Sequence, residues 1–156
     1  MKTYIKRIIG FLILFLVISC ALESKFALPN DEKIKPELIG EWYNEKNVNE
    51  ETVKIIKNGE KSYTLQIIGK SETEELIAHS KTINGFSIMN IKTETKGVIT
   101  NVFYGFTVKG NTLTFSEVND KLRNEEFESE SELLKFFEEN VSKNDFFINP
   151  TELKRK

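Results

Sequence analysis

The chain has 156 residues, of which 39% are hydrophobic and 29% are charged, the size and composition of one globular domain with short appendages. Beyond residue 19 it carries 19 basic and 24 acidic side chains, a net charge of −5. Proteins that bind nucleic acid do so with clustered Lys and Arg, so this charge balance argues against a nucleic-acid partner.

The N-terminus has the pattern of an export signal. Lys2, Lys6 and Arg7 precede an uncharged apolar run from Ile8 to Ile18, which is typical of a secretory signal peptide. Extended to Leu22, the uncharged run has 15 residues, fewer than the roughly 20 that a membrane-spanning helix needs. We therefore predict a cleaved signal peptide over residues 1–19.

The end of this segment, Val17-Ile18-Ser19-Cys20, resembles the lipobox of bacterial lipoproteins. The resemblance implies that the Cys20 thiol is alkylated with diacylglycerol and that the chain is cut between Ser19 and Cys20. It places the protein at the cell membrane or outer membrane, lipid-anchored, with its domain in the periplasm or at the cell surface. The alternative is that Cys20, the only cysteine, is an incidental residue of a membrane helix.

Residues 20–36 predict a lipidated cysteine followed by a tether. The segment mixes charges with Pro29 and Pro36 and has no sustained hydrophobic period, which favours an extended linker. The exported domain is then expected over residues 37–156.

From residue 38 onward, short β-rich runs alternate with turn residues, which is typical of an antiparallel sheet. Asn58-Gly59, Asn84-Gly85 and Lys109-Gly110-Asn111 separate some of these runs and predict tight hairpins. The predicted strands are Leu38–Tyr43, Thr52–Lys57, Ser62–Ile68, Glu74–Ile83, Phe86–Thr93, Val98–Val108 and Thr112–Val118. Gly105, inside an unusually apolar strand, suggests a bend or bulge.

The last third changes to a helical period. Ser129 and Glu132 form a capping-box pattern that opens a helix ending near residues 140–142, with an apolar stripe that packs on the sheet. Residues 145–148 are either a further short strand or an extended segment that closes the core. The predicted fold is mainly β, an antiparallel meander forming a small barrel or half-barrel with one C-terminal helix.

Gly40-Glu41-Trp42 resembles the Gly-x-Trp signature of lipocalins, and the order of strands followed by a helix is similar over roughly residues 37–153. The resemblance implies that Trp42 closes one end of an eight-stranded barrel. Without it, Trp42 is simply a core aromatic residue of a strand. We expect aromatic residues to line the barrel: Phe86, Phe103, Tyr104, Phe106 and Phe115.

The sequence predicts no catalysis, cofactor or metal site. His79 is the only histidine, zinc needs three or four His or Cys ligands, and no phosphate-binding or nucleophile motif occurs. The function expected is a membrane-anchored binding module that holds a small apolar ligand or docks a protein. The alternative is a structural or inhibitory envelope protein with a solid core.

Overall fold

The structure is a computed structural model that describes residues 21–47 and 51–156. The predicted signal peptide and Cys20 lie outside the described residues. Among the residues described, no helix is long and apolar enough to cross a bilayer. The strands and the helix, in chain order, are β1 (Glu23–Ser24), β2 (Gly40–Tyr43), β3 (Thr52–Asn58), β4 (Ser62–Ile68), β5 (Thr73–Ile83), β6 (Phe86–Thr95), β7 (Val98–Lys109), β8 (Thr112–Val118), α1 (Glu130–Asn140) and β9 (Phe147–Arg155).

Strands β2 to β9 form a closed antiparallel barrel of eight strands. Each of β2 to β8 pairs with the next strand along the chain. Strand β9 also pairs with β2 and so closes the ring. The predicted meander is therefore confirmed, and the barrel is closed rather than half-open.

The predicted hairpin turns are confirmed. Asn84 and Gly85 have φ of 51° and 84°, the doubly positive turn that an Asn-Gly pair favours. The turn after β3 uses Gly59 at φ 75°, and that after β7 uses Gly110 at φ 56°. A further two-residue turn, Lys96-Gly97, joins β6 to β7 and also has positive φ at both positions.

The helix lies on the outer face of the barrel. Ser129 Oγ accepts a hydrogen bond from the Glu132 amide at 3.1 Å, and the helix ends at Asn140, so the predicted cap and helix are confirmed. The Glu132 carboxylate does not reach back to the cap itself, because its oxygens bind the Glu128 amide and the Arg123 guanidinium. Buried side chains of the helix, the segments beside it and the outer face of the sheet form one cluster. Its members include Ile83, Ile88, Phe103, Phe127, Phe136, Phe137 and Phe146.

Residues 21–35, which we call the N-terminal strap, are packed on the barrel and do not form the predicted tether. Ala21 and Leu22 are 4% and 5% exposed, and Leu28 is also buried. Hydrogen bonds to residues far away in the sequence hold the strap on the barrel, and the sequence of the strap gives no sign of them. The Asn90 side chain accepts from the Leu28 amide at 2.8 Å and donates to Asn101 Oδ1 at 2.9 Å.

Gly105 does not mark the predicted bend. Strand β7 pairs continuously with β6 through Ile88↔Gly105. The irregularity lies in the pairing of β8 with β9, where the step from Phe115 to Glu117 faces one extra residue of β9. A Cβ atom built on Gly105 would overlap the ring of Phe147. The glycine therefore provides space for an aromatic ring on the outer face of the barrel.

Gly105→Ala should destabilise the protein by about 1 to 3 kcal/mol, because the new methyl group overpacks against the Phe147 ring. Urea unfolding of the single and double variants with Phe147→Ala measures this effect. In the Phe147→Ala background the cost of Gly105→Ala should largely disappear. An equal cost in both backgrounds would show that the ring is not the cause.

Candidate functional site: the barrel lumen and its mouth

The residues that face the barrel interior change in exposure from one end to the other. Cross-strand pairing places Val53, Ile67, Leu76 and Ile91 on the same inner face as the buried cluster around Trp42. These four side chains are partly exposed although they point inward. Solvent therefore reaches part of the inner face at this end of the barrel, which we call the mouth.

The opposite end, the floor, is closed by a packed layer. Trp42, Tyr63, Leu38 and Leu113 are fully buried there. Trp42 Nε1 donates to the Leu38 carbonyl at 2.9 Å, and the Arg155 guanidinium lies 4.2 Å from the centre of a Trp42 ring. Trp42, which pairs across the sheet with Val53, is thus held against the floor by Leu38 and Arg155.

Arg155 joins the last strand, β9, to the segment that precedes β2. Its guanidinium donates to the carbonyl of Ile39 at 2.8 Å and to that of Glu37 at 2.7 Å. It also fills the space above Gly40, whose φ of 142° is a conformation that side chains disfavour. The floor is therefore fixed by packing and by charge-assisted hydrogen bonds.

Three of the five aromatic residues predicted to line the barrel do so. Tyr104, Phe106 and Phe115 belong to the interior cluster, and the rings of Tyr104 and Phe115 lie 6.2 Å apart. The prediction is wrong for Phe86 and Phe103, because their register puts them on the outer face. Phe103 packs against Phe137 of the helix, and Phe86, 38% exposed, packs against Phe147.

Acidic side chains surround the mouth. Glu23 lies opposite Val102 and Glu117 lies opposite Tyr104, both on the inner face. Burial, with the charges of Glu117 and Glu23, raises the pKa of Tyr104 above its usual range, so its hydroxyl is neutral at physiological pH. Burial also raises the pKa of Glu23. This side of the mouth combines a neutral phenol with two carboxyl groups.

The far side of the mouth carries Glu74, which lies opposite Ile67 on the inner face. Burial raises the pKa of Glu74, and the charge of Glu51 raises it further. Sequence reasoning did not single out Glu74, Leu76 or Ile91 as lining residues. The alternation along β5 and β6 was the available signal, since these positions share a face with Ala78 and Met89.

His79 has a structural role on the outer face. Its Nε2 donates to the Leu28 carbonyl at 2.8 Å, and burial lowers its pKa despite that bond and the nearby Asp31. The imidazole therefore holds the N-terminal strap in its neutral form. Within residues 21–47 and 51–156, no group of three or more His, Cys, Asp or Glu side chains is arranged to hold a metal ion.

Comparison with known proteins leaves the site to be interpreted from its own geometry. No family model matches the chain, and neither a curated protein nor a solved structure matches it.

Glu74→Gln should stabilise the protein at neutral pH and have little effect in acid. Because the folded state raises the pKa of Glu74, the folded protein binds more protons than the unfolded chain between the two pKa values. The stability contribution of this group therefore falls as the pH rises through that interval. Urea unfolding at about pH 7.5 and about pH 4 measures the difference.

Glu75→Gln is the matched control, because Glu75 points outward on the same strand and its carboxylate accepts from Gln66 Nε2. It should give no comparable gain at neutral pH. A Glu74→Gln gain that is equally large at both pH values would contradict the assigned cause.

Proposed function

We propose that the barrel is a binding module that takes up a small, mainly apolar ligand through its mouth. The observation that carries the proposal is the partial exposure of the inward-facing side chains Val53, Ile67, Leu76 and Ile91 above a buried floor. Ligand sites are typically concave and mostly apolar, with a few polar groups that orient the ligand. The apolar wall and the carboxyl groups at the mouth fit that description.

The sequence supports a lipid anchor for this module. The lipobox-like Val17-Ile18-Ser19-Cys20 follows an apolar run of signal-peptide length. We propose that the protein is a lipoprotein held at a bacterial membrane by acyl chains on Cys20, with no catalytic activity. Such an anchor is stable where two or more acyl chains are attached.

Leu76→Trp should block the lumen and weaken binding of a neutral naphthylamine dye by at least about tenfold. Leu76 faces inward opposite Leu65, and the larger indole would occupy the space that the dye enters. Ile77→Trp is the control, because Ile77 is the next residue, faces outward and is exposed. Dye fluorescence titrated with each purified variant measures the affinities.

Equal affinities of the two Trp variants would place the dye outside the lumen. Failure of the wild-type protein to bind any apolar probe would favour a solid core and a structural role instead.

The mouth should also discriminate between polar head groups. We expect dodecylamine and dodecanol to bind more tightly than dodecanoate at about pH 8, because a carboxylate beside Glu23 and Glu117 is repelled. Displacement of the naphthylamine dye by each compound gives the order of affinities.

Glu117→Gln should reduce the difference between dodecylamine and dodecanoate. Glu41→Gln is the matched control, since Glu41 lies on the outer surface near Lys54 and Lys156. An unchanged difference in the Glu117 variant, or a preference of the wild-type protein for dodecanoate, would show that these carboxyl groups do not contact the ligand.

A further inference from the structure

A short stretch of the N-terminal strap forms part of the barrel wall. The last pair that β8 makes with β7 is Tyr104↔Glu117. From Tyr104 toward the mouth, β7 continues as far as Val98. In this part of the wall β1 lies beside β7, with Glu23 opposite Val102. Strand β1 therefore fills the slot that the end of β8 leaves next to β7.

Leu22 connects this stretch to both neighbouring strands. Its amide donates to the Val118 carbonyl at the end of β8 at 3.1 Å, and its carbonyl accepts from the Phe103 amide on β7 at 3.3 Å. Its side chain is buried in the cluster that lies under the helix. Backbone hydrogen bonds on both sides thus make the stretch a piece of the wall rather than a loop that lies across it.

Glu23 faces the lumen from β1. Its partner Val102 lies on the inner face, two residues before Tyr104 on the same strand. The pKa of Tyr104 is raised by burial and by the charges of Glu117 and Glu23, so the Glu23 carboxylate lies near the Tyr104 hydroxyl. Val102 is 1% exposed, whereas Ile91, its partner on β6, is partly exposed. The inner face is therefore better covered on the side where β1 lies.

The later part of the strap is held on the outer face, away from the lumen. The Leu28 amide donates to Asn90 Oδ1 at 2.8 Å, and the Leu28 carbonyl accepts from His79 Nε2 at 2.8 Å. Further along, the Asp31 carboxylate pairs with Lys81 Nζ at 2.7 Å. One segment thus contacts two surfaces, the lumen through β1 and the outer face of the sheet through residues 28–31.

We propose that the strap is part of the ligand site, and that ligand binding in the lumen and docking of the strap stabilise each other. The proposal rests on the lumen binding proposed above. A barrel whose strap has come away has an open slot beside β7, so an apolar ligand loses buried surface and its contact with β1. The ligand therefore prefers the docked form, and the coupling free energy is the same in both directions.

Limited trypsin cleavage measures the effect of the ligand on the strap, with the naphthylamine dye as the ligand. Lys25 and Lys33 are exposed lysines of the strap, and Lys143, in the exposed turn after the helix, is the internal control. Cleavage in the strap requires that it leaves the barrel. With dye at about 100 times its Kd, we expect cleavage at Lys25 and Lys33 to slow at least about tenfold and cleavage at Lys143 to change by less than about twofold.

Asn90→Ala measures the effect of the strap on the ligand. The substitution removes the acceptor of the Leu28 amide on the outer face, where no ligand of the lumen reaches. It should weaken dye binding at least about fivefold and accelerate cleavage in the strap. Ser129→Ala is the matched control, because it removes the helix cap at a cost of about 1 kcal/mol and leaves the strap contacts in place. Its dye affinity should equal that of the wild-type protein.

Strap cleavage that bound dye does not slow, or slows no more than cleavage at Lys143, would overturn the coupling while leaving lumen binding intact. An equal loss of affinity in the Asn90 and Ser129 variants would do the same, because it would reflect a general loosening of the domain. Absence of dye binding to the wild-type protein would instead overturn the proposed function, and the coupling with it.

Discussion

Ring closure by β9 is the constraint on which the rest of the structure depends. Its hydrogen bonds to β8 on one side and to β2 on the other remove the sheet edges and create an inside. Leu153 on this strand contributes to the buried interior, and Arg155 at its end stacks on Trp42 and binds the carbonyls that precede β2. The last residues of the chain thus close both the wall and the floor of the barrel.

The barrel uses its two faces for different purposes. The outer face of β6 and β7 supports the helix and the N-terminal strap, through a continuous aromatic cluster and through the Asn90–Asn101 hydrogen bonds. No buried side-chain polar atom among the described residues lacks a partner, so this outer layer is fully satisfied. The inner face is left to form a packed floor and an accessible mouth, and that division makes a ligand site compatible with a stable domain.

Local signals predicted those parts of the fold that depend on neighbours in sequence. Asn84-Gly85 identified a hairpin because these two residue types themselves favour the positive φ angles that the turn needs. Ser129 identified the helix start because its hydroxyl accepts a hydrogen bond from the amide three residues later. Strand β9 was recognised only at its first residues, since Asn149-Pro150 and the polar residues after it do not look like a strand. Its pairing partners lie in β2 and β8, and no local pattern encodes that choice.

The same reasoning explains the errors at the N-terminus and at the site. Residues 21–35 look like a linker because their partners, Asn90 among them, are distant polar groups rather than an apolar period. Alternation along β7 places Phe103 on the face away from Tyr104 and Phe106. It was nevertheless expected in the lumen, because β7 is apolar on both faces and the sequence does not show which face is inside. Aromatic content alone does not distinguish a lumen from a helix-packing surface.

The most direct test of the central claim is methyl NMR under xenon pressure, which reports whether the lumen is accessible to an apolar atom. The methyl signals of Leu76 and Ile91, which face the mouth, should shift with xenon concentration. Those of Ile83 and Leu133, which pack under the helix outside the barrel, should not. If no inward-facing methyl group responds, the interior is solid and the binding function proposed for the barrel is wrong.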